Sequence, residues 1–213
     1  KQVLGSTIPA GLGAEDVDAV LGIVTRHPAT ARHLAERLCS RFIADTPPSE
    51  AVEQVAAAYT ASQGDIRSML RVLFGTTAFW ESAGAKLKRP LHFLASALRA
   101  TAAQTDVSEP LLDYLLRMGH APFQYPTPDG YPLDAAPWLG TLLWRWHFAL
   151  ALARGQVPGV SVDWRELEDA SGGAENFHAH LLGRRATAAE TSIFGEYPNG
   201  AALVLASPGF QRC

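Results

Sequence analysis

Apolar residues recur along this chain at three- and four-residue spacing, the period of a helix with one buried face. Residues 15–25 place Val17, Val20, Leu21 and Val24 that way. In "HPATARHLAERLCSRF", Pro28 suits a first helical turn. Ala31, Leu34, Ala35, Leu38, Cys39 and Phe42 form one stripe, while Arg32, Glu36, Arg37 and Arg41 mostly face elsewhere. After the break at "DTPP", Val52, Val55, Ala56 and Tyr59 give the next buried face, with Ser49 as its expected cap. "GDIRSMLRVLFGTTAFW" follows, with Asp65 as cap and Gly75 as stop. "KRPLHFLASALRAT" and "SEPLLDYLLRMG" predict two more helices, each with proline in the first turn, the second ended by Gly119.

"APWLGTLLWRWHFALALAR" is apolar nearly all round, the pattern of a central helix surrounded by others. Beyond Gly155 the pattern loosens. Helices are expected near 163–169, 174–183 and 197–206. No run alternates convincingly, although a short strand pair is compatible with the pattern. The reading is a single all-α domain over residues 1–213, an irregular bundle of nine or ten helices.

Between these helices, the stretch His120–Gly140 (HAPFQYPTPDGYPLDAAPWLG) holds five prolines and four aromatic residues. Each proline fixes φ and removes a backbone donor, so ordering such a loop costs less entropy. Asp129-Gly130 is a turn signal. The expectation is an ordered loop against the 138–153 helix. It either plugs the bundle or presents Tyr125, Asp129, Tyr131 and Trp138 to a ligand or protein partner.

A short internal echo links "RVLFGTTAFW" (71–80) to "ALVLASPGFQ" (202–211). In each, a helix end meets Thr76 or Ser207, with Phe79 or Phe210 three positions on. This predicts a helix stop, then a hydroxyl-capped turn that folds the phenylalanine onto a core.

Composition narrows function mainly by exclusion. The net charge of −3 offers no basic excess for phosphates, so nucleic-acid binding is not expected. Two cysteines, Cys39 and Cys213, exclude a disulfide framework. The apolar run from Trp138 to Ala153 is too short to span a bilayer and is interrupted by Arg145 and His147. No metal or cofactor is expected. His178 and His180 are two apart, on opposite sides of a helix, and have no partner cysteine or HExxH motif. Glu166, Glu168 and Asp169 suit a solvated helix face. No GxSxG, P-loop or GxGxxG occurs.

Two charged groups in the most apolar helix stand out. Arg145 and His147 need partners if buried. Asp134 and Asp129 are the carboxylates considered for Arg145. Arg32 and Arg89, each near a helix start, could hold the loop through a carboxylate.

"HPATARHLAERLCSRFIADTPP", "DIRSMLRVLFGTTAFW", "KRPLHFLASALRA", "LLRMGHAPFQYPTPDGYP" with "WLGTLLWRWHFALAL", and the terminal "LVLASPGFQR" together resemble the C-terminal half of the DUF1800 family. Two departures stand out. Members tend to carry Asn-Val-Lys-Gly-Trp-Pro where this chain has Pro128-Asp129-Gly130-Tyr131-Pro132, so Tyr131 takes the tryptophan's place. An asparagine often found soon after the next tryptophan is absent here, where Gly140 follows Leu139. The resemblance implies a bacterial protein, with export as an expectation, of which this chain is one helical part. It implies no known reaction.

The favoured expectation is therefore a binding or scaffold module acting with an N-terminal portion or a partner. The alternative is part of an enzyme, such as a hydrolase, whose site is shared with that other portion and to which His120, Arg145 and His147 contribute.

Overall fold

A computed structural model describes residues 1–196 and 200–213. The chain forms two compact units, Lys1–Ala85 and Lys86–Cys213. Among the described residues there are twelve α-helices and two antiparallel strand pairs of two residues each, so the fold is all-α.

In the first unit, β1 (Gln2–Val3) pairs with β2 (Ser6–Thr7). Five helices follow: α1 (Glu15–Arg26), α2 (Pro28–Phe42), α3 (Ser49–Ala61), α4 (Ile66–Gly75) and α5 (Thr77–Glu81). The predicted stripe of α2 lies on the core, where Ala31, Ala35 and Cys39 let α3 and α4 approach closely. Val52, Val55 and Tyr59 meet them from α3, and Met69 and Leu73 from α4. Asp65 caps α4 as expected, accepting from the amides of Arg67 and Ser68. Ser49 does not cap α3. It is the first helical residue, after Pro48, and makes no cap bond. The apolar stripe of α1 is not buried: Val17, Leu21 and Val24 are all exposed.

In the second unit, α6 (Pro90–Ala100), α7 (Glu109–Arg117) and α8 (Leu142–Ala153) carry the main core. Between α7 and α8 runs the proline loop, which ends in a 3₁₀ turn over Ala136–Thr141. β3 (Gln104–Thr105) pairs with β4 (Val160–Ser161). The rest is α9 (Trp164–Ser171), α10 (Ala174–Leu182), α11 (Ala188–Gly195) and α12 (Gly200–Ala206). Phe93 of α6 meets Phe148 of α8 and Phe210 edge-on, at 5.9 and 6.0 Å between centroids. Such edge contacts add about 1 kcal/mol beyond area burial. A smaller cluster of Leu167, Leu181, Phe194 and Val204 joins α9 to α12.

The expected count of nine or ten helices falls short for two reasons. Thr76 splits the 64–80 segment into two helices, α4 and α5. The helix α11 escaped the periodicity reading because its large apolar residues, Ile193 and Phe194, are adjacent. Its start is nonetheless written in the sequence as Thr187-Ala-Ala-Glu190, and the structure forms that reciprocal capping box. The start of the helix expected at 197–206 lies outside the described residues.

Candidate functional site: a buried donor cluster under the proline loop

The site begins at the end of α7. Gly119, at φ +70°, takes the left-handed turn that an L side chain avoids. Its amide donates to the Leu116 carbonyl, and the His120 amide donates to Leu115 at 2.8 Å, a Schellman ending. This swings the His120 imidazole under α6. There Nδ1 accepts from the Leu91 amide at 3.2 Å, one of the first-turn donors without an intrahelical partner. Arg89, at the N-cap position, makes no cap bond itself.

An Nδ1 that accepts is unprotonated, so the neutral ring carries its proton on Nε2. Burial, and then the charges of Arg89 and Arg145, hold the His120 pKa down to about 4. At neutral pH His120 is therefore a donor at Nε2, and its basic nitrogen is already engaged.

The loop lays its aromatics across this imidazole. Tyr131 contacts it edge-on at 4.4 Å, and Trp138 stacks on it at 5.0 Å with planes 28° apart. The Tyr131 hydroxyl donates to the Ala121 carbonyl at 2.7 Å, tying the middle of the loop to its start. Tyr125, half-buried, leans on Tyr131 at 4.7 Å. Asp129 sits exposed at the loop tip and accepts from the Thr127 hydroxyl.

Arg145 is wholly buried. Its Nε donates to Thr141 Oγ1 at 3.1 Å, and Thr141 donates in turn to the Trp138 carbonyl at 2.7 Å. Nη1 donates to Gln211 Oε1 at 2.7 Å, while Gln211 Nε2 is held by the Leu205 carbonyl. The Phe93 ring lies 5.3 Å from the guanidinium carbon. Burial lowers the pKa to about 10, so the group stays charged at neutral pH. Arg145 Nη2 and Trp138 Nε1 are both buried with no hydrogen-bond partner among the described residues.

These contacts correct one expectation. Asp129 and Asp134 are exposed, and the hydrogen bonds of Arg145 go to neutral Gln211 and Thr141. A long planar side chain that leans toward its helix N-terminus reaches Thr141, one turn back. Thr141 and Gln211 were not singled out in the sequence. Nothing local marks Gln211, which lies 66 positions from its arginine.

The structure brings His120, Tyr131, Trp138 and Arg145 together and leaves His147 apart. His147 is exposed beside Trp144, on the side of α8 away from Arg145. Arg32 pairs with Glu36 within α2, and Arg89 contacts His92 at 3.3 Å. His178 lies against Phe194, and the His180 ring meets the Ala100 carbonyl. Among the described residues, no three His, Cys, Asp or Glu side chains are placed to hold a metal ion.

The outward face of α8 also differs from expectation. The helix is not surrounded. Leu139, Leu143, Trp146 and Leu150 are 54, 64, 50 and 36% exposed. Leu139 belongs to the 3₁₀ turn before α8, and at 3.6 residues per turn Leu143, Trp146 and Leu150 fall within an arc of about 60°. Among the described residues, no helix is long and apolar enough to cross a membrane.

No curated protein and no solved structure matches this chain. The profile of a family described as "Protein of unknown function (DUF1800)" matches residues 1–212. The sequence resemblance and the match over nearly the whole length agree, and the chain belongs to the DUF1800 family.

Proposed function

We propose that this protein is a binding module that presents the outer face of α8 to a protein partner, in particular to an amphipathic helix. The observation that carries this reading is the exposed row Leu143, Trp146 and Leu150 on α8, with exposed Leu139 in the turn before it. Large apolar side chains aligned on one exposed helix face mark contact surfaces, and tryptophan is over-represented among the residues that dominate such contacts. Leu143, Trp146 and Leu150, at i, i+3 and i+7, form a stripe on which the apolar face of a second helix can pack.

The loop residues take two roles in this reading. Tyr125 and Asp129 lie on the outer part of the loop. Tyr131 and Trp138 sit beneath and hold its shape. A scaffold that leaves His147 outside and gives His120 a structural hydrogen bond fits binding better than acid–base catalysis.

The test is a photo-crosslinking residue at position 143 in cells that naturally make the protein, with the same residue at exposed Arg154 as control. A discrete protein adduct at 143 that is missing at 154 is expected, and it should disappear when Trp146 is changed to alanine. No adduct at 143, or the same adducts at both positions, rejects the proposal.

A further inference from the structure

Opposite the exposed row, α8 buries a cation whose hydrogen-bond partners are neutral. Burying a charge is costly unless it is neutralised. Arg145 has two neutral oxygen partners and an aromatic ring, and its Nη2 has none. Trp138, in the 3₁₀ turn seven positions before it, has an Nε1 that is likewise buried without a partner among the described residues. Thr141 links the two, accepting from Arg145 Nε and donating to the Trp138 backbone carbonyl. His120, stacked on Trp138, adds an Nε2 donor and feels the Arg145 charge. Two orphaned donors and the His120 Nε2 donor thus come from separate parts of the unit, and the Arg89 and Arg145 charges both act on the imidazole.

We infer that the Trp138–Arg145–His120 cluster is a binding site for a carboxylate, reached by lifting the loop that Tyr131 pins over it. The match is one of charge, shape and number. A carboxylate is singly charged and flat and accepts at two oxygens, which suits one wholly buried cation with two orphaned donors beside it. A phosphate brings close to two charges and more acceptor oxygens than three donors satisfy. Tyr131 covers the His120 and Trp138 rings, so opening breaks its hydroxyl bond to Ala121 and its ring contacts. This site lies on the other side of α8 from the proposed partner face and does not depend on it.

The carboxylate could belong to a small acid or to the C-terminus of a peptide. Two titrations separate these sources. One uses acetate, propionate and benzoate at constant ionic strength against chloride. The other uses a hexapeptide with a free C-terminus against its amidated form. The readouts are the indole N–H resonance of Trp138 in a ¹⁵N spectrum and the melting temperature. Four heavy atoms hold acetate to a Kd no tighter than about 0.04 mM, and a Kd of about 1 mM is expected for so small an ion. At about 100 mM it should shift the Trp138 resonance saturably and raise Tm by about 5 °C.

Trp138→Phe keeps the stacked ring and removes the donor, and should weaken binding about tenfold without unfolding the protein. Arg145→Met should abolish binding if it folds, and Trp138→Phe decides the matter if it does not. Saturation by the acids alone assigns a small-molecule site, and saturation by the free but not the amidated peptide assigns a peptide terminus. No saturable response in either series, an equal response to chloride, or unchanged affinity in Trp138→Phe overturns the inference.

Discussion

His120 shows how one side chain serves two helices. Its backbone completes the ending of α7, and its ring supplies a missing acceptor at the start of α6. That bond needs a neutral ring. The folded pKa, about 4, lies below the ordinary 6.5, so the unfolded chain takes up the proton first as pH falls. The stabilisation is present above pH 6.5 and is lost progressively down to about pH 4. A shift of this size is worth about 3 kcal/mol. The charged groups facing the ring are Arg89 and Arg145, and both stay cationic through this range. Urea unfolding at pH 7, 5.5 and 4 should therefore show a loss of stability that is much smaller in His120→Asn, whose side-chain oxygen replaces Nδ1 as acceptor. Equal pH dependence in both proteins would show that the ring is not held neutral. Tyr131→Phe removes the hydroxyl bond to Ala121 and should cost about 1 kcal/mol by the same measurement.

At the scale of elements, the echoed segments fold as the same device in both units. Thr76 Oγ1 donates to the Leu73 carbonyl at 2.7 Å and accepts from the Phe79 amide at 3.2 Å. Ser207 repeats this with Val204 and Phe210 at 2.7 and 3.2 Å. Each hydroxyl satisfies a helix-end carbonyl and turns the chain so that the phenylalanine meets its unit's core. Phe210 is fully buried, whereas Phe79 is only half-buried. Ser207→Ala should therefore cost more, about 2 kcal/mol, than Thr76→Ala at about 1 kcal/mol, measured by thermal unfolding. Equal effects would argue that the buried aromatic adds nothing to the turn. The turn was readable in the sequence because it is local, with every partner within three residues. The cap of α3 was misread because a serine after two prolines has the chemistry of a cap but sits one position too late.

For the whole molecule, the expected single domain over residues 1–213 remains a proposal, because each compact unit has a core of its own. Trp80 is the one tryptophan of the first unit, and Trp138, Trp144, Trp146 and Trp164 belong to the second. A variant keeping only Trp80, compared with Trp80→Phe, reports the two units separately during urea unfolding. Coincident transitions are expected for one cooperative domain, and separated midpoints would divide the chain into two.

The sequence by itself determined the helical class, most helix positions, the Gly119 and Asp65 signals and the hydroxyl-capped turns. All of these depend on residues within a turn or two of one another, where spacing and side-chain chemistry act directly. Only the tertiary structure decided that Arg145 meets Gln211 instead of an aspartate, that His120 caps α6, and that α8 leaves one apolar face uncovered. Those outcomes depend on which distant surfaces meet. Periodicity shows that a face is apolar, but not whether another element of the chain covers it.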